Sequence, residues 1–151
     1  MKKLLIITIL TVLLCTACGQ KKASGSAGET KNPPPLYVYA GEESAEALLG
    51  GFSWTYKGTM AETKALSPLM RFDEMTPLKL NGTDTISFSL DGAEYICCWS
   101  AQYAGSEHYS DGQALTIDSE GKVRVPTDGT YIYQVDFTLS QGQVSYYFAT
   151  E

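Results

Sequence analysis

Histidine is nearly missing from this 151-residue chain: His108 is the single copy, and cysteine occurs four times. One imidazole excludes the multi-histidine zinc sites and leaves a single general base for any histidine-dependent triad. That base stands in "GSEHYSDGQ", beside Ser106, Glu107, Ser110 and Asp111. Residues so close along a chain seldom reach triad geometry, so a solvated loop histidine is expected. Positive charge is also short, with 11 Lys and Arg against 17 Asp and Glu. That balance argues against nucleic acid or an anionic lipid surface as the main partner. Long apolar runs are lacking too: Leu4 to Ala17 gives 14 residues, whereas a spanning helix needs about 20.

What the N-terminus does carry is a positive pair, Lys2 and Lys3, an apolar run and small residues before Cys18. This is the grammar of a secretory signal peptide covering residues 1–17. The segment Thr16, Ala17, Cys18 resembles the lipobox of bacterial lipoproteins, with Cys15 standing where those carry an aliphatic residue. The resemblance implies cleavage before Cys18, acylation of that cysteine and attachment to the lipid bilayer. Two acyl chains make such an anchor durable where one gives marginal binding. An ordinary secreted protein with a free Cys18 is the alternative. Loss of Lys2 and Lys3 leaves 9 basic residues against 17 acidic ones, moving the formal balance from -6 to -8.

Two cysteines remain for the folded part, Cys97 and its neighbour Cys98. Adjacent side chains on a strand point to opposite faces and cannot be bridged without distorting the backbone. Free thiols are expected, with a strained vicinal disulfide acting as a redox switch as the alternative.

Residues 18–35, ending "GQKKASGSAGETKNPPP", are small, polar and stiffened by Pro33 to Pro35. Such composition cannot offset its ordering entropy and reads as a flexible tether. The domain is expected over 36–151. There period-two alternation dominates: Tyr131, Tyr133, Val135, Phe137 and Leu139 share one face, as do Ile86, Phe88 and Leu90, and Val144, Tyr146 and Phe148. Shorter strands run through Leu115 and Ile117, and through Val123 and Val125. Asn81-Gly82, Asp91-Gly92, Asp111-Gly112, Glu120-Gly121, Asp128-Gly129 and Gln141-Gly142 supply the positive backbone angles of tight turns. Hairpins are expected at Gln141-Gly142, Asp91-Gly92 and Glu120-Gly121. One short helical piece, or else a turn or edge segment, is expected over Glu42 to Leu49. Many short strands at turn spacing predict an all-β fold, a greek-key β-sandwich of seven to eight antiparallel strands.

"GGFSWTYK", Gly50 to Lys57, with Pro68 and Leu69, then "CWSAQY", Cys98 to Tyr103, and Tyr131, Tyr133, Tyr146 and Tyr147 resemble small uncharacterised lipoproteins of Gram-positive-type bacteria. Those carry an Ig-like β-sandwich, with a Ser-Trp segment, a Cys-Trp strand and a Tyr-rich C-terminal hairpin. Where that family has a Cys-Gly-x-His segment before Pro-Leu, this chain has "TKALSPL", so no metal or redox role of those groups carries over. The resemblance implies a lipoprotein-borne module of unassigned function.

Catalytic readings find little to work with. Glu42, Glu43 and Glu46, and Asp73 with Glu74, are paired carboxylates, but glycosidase chemistry needs two across a cleft. Asp111, Asp118 and Asp128 offer oxygen ligands for calcium without EF-hand spacing. No metal or cofactor is expected, and no enzyme. The aromatic residues Trp54, Tyr56, Tyr103 and Tyr109, with His108, are the candidate binding set, and the loop Gln102 to Gln113, which holds Tyr103, His108 and Tyr109, is the segment expected to carry ligands at one end of a sandwich. The expected role is a membrane-anchored, extracytoplasmic, non-enzymatic module that binds an unknown envelope protein or glycan. An envelope-stress sensor or accessory of a neighbouring membrane protein is the alternative, and a small hydrolase a third.

Overall fold

The computed structural model describes residues 29–90, 92–103 and 112–151. The leader, Cys18, Asp91, His108, Tyr109 and Asp111 lie outside them. Ten strands follow in chain order: β1 Tyr37–Ala40, β2 Glu43–Glu46, β3 Leu48–Tyr56, β4 Thr59–Thr63, β5 Thr85–Phe88, β6 Tyr95–Gln102, β7 Gln113–Leu115, β8 Lys122–Arg124, β9 Tyr131–Leu139 and β10 Gly142–Thr150. A 3-10 helix, Pro68–Glu74, stands between β4 and β5.

They form two antiparallel sheets, one ordered β2-β1-β5-β8 and the other β4-β3-β10-β9-β6-β7. The result is an open two-layer all-β sandwich and not a closed barrel. The chain changes sheet after β2, β4, β5, β7 and β8, so partners such as β3 and β10 are distant in sequence. The excess over seven or eight strands comes from short pieces: β2 has four residues, and β7 and β8 have three each.

Alternation does the building. Leu36, Val38 and Ala40, Ile86, and Val123 with Val125 face inward from the smaller sheet, against Cys98, Tyr133, Val135, Phe137, Val144, Tyr146 and Phe148 from the larger. Each large apolar side chain removed from water in this way contributes about 1.5–3 kcal/mol. Phe88 meets Phe137 edge-on at 5.8 Å across the layers, and Tyr133 stacks on Phe148 at 4.6 Å. The core tyrosines keep partners for their hydroxyls: that of Tyr133 lies 3.1 Å from Thr150 Oγ1, and that of Tyr146 donates to the Pro34 carbonyl.

Several sequence expectations change in the fold. The helical reading of Glu42 to Leu49 gives way to β2 and the start of β3. Gly41, at φ 61, reverses the chain so that Glu43–Glu46 pairs with β1, and eight residues are too few to hold a helix against that ladder. The Asp91-Gly92 hairpin is replaced by a crossover, because β5 pairs with β1 and β8 while β6 pairs with β7 and β9. Both runs are apolar on one face, and facing each other across the core buries both. The β9–β10 turn consists of Ser140 and Gln141, with Gly142 already paired to Leu139. Gly142 is required there: its φ is 150, and a Cβ would stand 1.9 Å from the Ser53 carbonyl oxygen.

Thr30 to Pro35, read from the sequence as the end of the tether, lies against the sandwich. The Gln141 amide clasps the backbone of Thr30, accepting from its N–H at 2.9 Å and donating to its carbonyl at 2.9 Å. Trp54 Nε1 donates to the same carbonyl at 2.9 Å, and Pro33 is buried.

Candidate functional site

The outer face of the six-stranded sheet holds a second, smaller core. Ala101, Ile132, Tyr147 and Ala149 point outward by alternation, yet all four are buried. The segment after β4 crosses this face. The Tyr147 hydroxyl donates to the Leu66 carbonyl at 2.8 Å, Arg71 donates to the Leu49 carbonyl at 2.7 Å, and Phe72 stacks on Tyr103 at 3.9 Å. Two glycines make the approach possible. β3 spends one residue more than β10 between the pairs Leu49–Tyr146 and Phe52–Val144, a bulge at Gly50 and Gly51. A Cβ on Gly50 would meet the Tyr147 ring at 2.7 Å, and one on Gly51 the Ala65 amide nitrogen at 2.6 Å.

The sequence-derived binding set does not assemble into one surface. Trp54 is 3% exposed and bonded to Thr30. Tyr56 is half-buried, with Lys57 Nζ 5.3 Å from its ring centre. Both belong to the end of the sandwich where Trp54 pairs with Gly142. Tyr103 stands at the other end, its amide donating to the Thr130 carbonyl just before β9. The length of β9 separates the two, about 25 Å at the usual rise of a strand. His108 and Tyr109 lie outside the described residues.

Beyond the second core, the same outer face carries a polar knot. Gln134 Nε2 donates to both Asp136 oxygens at 3.0 and 3.1 Å, and the Ser145 hydroxyl donates to Oδ1 at 2.5 Å. The knot floors an open depression of about 460 Å³ that Cys97, Thr138 and Gln143 help to line. With Gln134 and Ser145 both donating to Asp136, the knot ties β9 to β10 on the sheet surface.

Cys97 and Cys98 are both free and face opposite ways. Cys98 is fully buried, and burial, then the neighbouring Cys97 and Asp136, push its thiol up to about 12. It is therefore inert at neutral pH. Cys97 is half-buried on the outer face.

Four of the carboxylates weighed for catalysis or calcium, Glu43, Glu74, Asp118 and Asp128, are engaged locally. Glu74 takes both arms of Arg71 at 3.0 and 2.8 Å, Glu43 accepts from Asn81 at 3.0 Å, and Asp128 accepts from the Tyr131 hydroxyl at 2.8 Å. Asp118 accepts from the amides of Glu120 and Lys122 at 2.8 and 2.9 Å, and the Lys122 amide above all holds its carboxyl below the usual range. Among the described residues no three His, Cys, Asp or Glu side chains gather as a metal set, and no helix is long and apolar enough to cross a membrane.

The outer face of the four-stranded sheet is different. Nothing crosses it among the described residues, and Tyr37 and Tyr39 stand on it 39% and 40% exposed. They are the exposed aromatics among the residues whose burial is described. They are not in the sequence-derived binding set, although "LYVYA" already places them opposite Leu36, Val38 and Ala40.

Compared with protein-family models, curated protein sequences and solved structures, this chain matches none.

Proposed function

We propose that this chain is a lipoprotein held at the outer face of the cytoplasmic membrane through acylated Cys18, with its β-sandwich acting as a non-enzymatic binding module for an envelope protein or glycan. The leader grammar and the lipobox-like Thr16-Ala17-Cys18 support the anchor. The observation that carries the rest is the clasp at Thr30. A tether from Cys18 joins the sandwich at the β9–β10 turn, after a run whose full reach is about 40 Å. An anchor arriving at that end leaves the outer sheet faces open to the wall space.

Feeding cells a labelled fatty acid tests the anchor: wild type takes up label and sediments with membranes, and Cys18→Ala does neither. Equal labelling of the two chains would refute the assignment of Cys18. Photo-crosslinking from surface positions in whole cells, together with co-sedimentation on purified cell wall, tests the binding role. A chain that captures neither a protein nor wall material has no binding function of this kind.

A further inference from the structure

We propose that the outer face of the four-stranded sheet binds a neutral glycan chain, stacked on Tyr37 and Tyr39. This rests on the binding-module reading and gives it a site and a ligand class. The two rings lie on one face of β1, two residues apart, which sets them about 7 Å from each other along the strand. The two rings, each about 40% exposed, form one small aromatic patch, whereas lone exposed apolar residues are ordinary. An aromatic face carries partial negative charge, and the C–H bonds on one side of a sugar ring present a weakly positive apolar surface to it. Rings at this spacing are too far apart to share one sugar flat on both, so the face suits a chain of two or more units.

The neighbours fit the same chemistry. The strand register places Ser44, Tyr39, Ser87 and Lys122 in one row across the sheet. A ring flanked by two hydroxyls supplies stacking together with donors and acceptors for sugar hydroxyls. Charge decides against an anionic ligand. Lys122 is paired with Glu120 at 2.7 Å and Arg124 with Asp84 at 3.0 Å, so the cations at this margin are already neutralised. Glu46, opposite Tyr37, adds negative charge at the other margin. A phosphate-bearing polymer or an anionic lipid headgroup finds no unpaired cation here, and a neutral glycan needs none.

The test uses the full-length chain in mild detergent. Its probes are a neutral chito-oligosaccharide of several sugars, a neutral β-linked glucose oligosaccharide of similar length, and an anionic wall polymer. The expected result is binding to the two neutral probes that is insensitive to salt, since no exposed charge pair carries it. Replacing both tyrosines, Tyr37→Ala with Tyr39→Ala, lowers affinity about tenfold or more. The double phenylalanine variant keeps the rings and most of the affinity, and an unchanged unfolding midpoint in both variants shows the fold intact. Wild-type affinity in the alanine variant overturns the site while the binding module stands. Salt-sensitive binding to the anionic polymer alone overturns the ligand class. No binding to any glycan overturns the proposal, and the module reading then survives only on a crosslinked protein partner.

Discussion

The two outer faces of this sandwich follow the same alternation and meet opposite fates. On β10, Tyr147 points away from the main core and is fully buried; on β1, Tyr37 and Tyr39 point away from it and are exposed. The difference lies in the segment from Ala65 to Glu74, which crosses the six-stranded sheet at Gly50 and Gly51, while the smaller sheet has no such cover among the described residues. Alternation therefore tells which side chains leave the core. Whether they then meet water is decided by what a distant loop does.

Truncation should expose that difference most sharply. Tyr147→Ala removes a buried ring and its hydrogen bond and should cost about 3–5 kcal/mol, read as a lower denaturant midpoint. A second contrast lies in the thiols. Thiol reagents should label Cys97 in the native domain and reach Cys98 only on unfolding. The folded thiol of Cys98 is raised to about 12, so its stabilising effect is complete below the unfolded value of about 8.5. It should fall as pH rises towards 12, by at most about 1.4 kcal/mol per pH unit. Cys98→Ala should flatten that part of the alkaline profile, and an unchanged slope would contradict the burial.

Gly51→Ala pushes a Cβ into the Ala65 backbone and should cost about 1–3 kcal/mol. It should also speed amide exchange in the crossing segment more than in the smaller sheet. Breaking the clasp with Gln141→Ala should cost about 1–2 kcal/mol and expose the Thr30 amide to exchange. Smallest of all, Tyr39→Ala should stay within about 0.5 kcal/mol, as exposed positions do. A loss for Tyr39→Ala as large as that for Tyr147→Ala would erase the distinction between the faces.

The strands with strong period-two runs were legible because burial on one face writes itself into composition: Tyr131 to Leu139 and Val144 to Phe148 needed no partner to be recognised. Pairing was less legible. Asp91-Gly92 carries a good turn dipeptide, but the sheet that each flanking strand joins depends on all the other strands. Glu42 to Leu49 favours a helix residue by residue, and the ladder with β1 overrides that local preference. The candidate site was the least legible part. Trp54, a candidate for binding in the sequence, is covered by Thr30, a contact made across more than twenty residues, while Tyr37 and Tyr39, which are not among the candidates, stand exposed.

By itself the sequence determined an all-β chain with a leader-like N-terminus, a large apolar alternation and thiols that face apart, because each of these is a property of neighbouring residues. Tertiary structure alone decided the division into two sheets, the burial of Tyr147 and Trp54, and the exposure of Tyr37 and Tyr39. Those outcomes depend on which distant segment covers each surface, and a period of two carries no information about that.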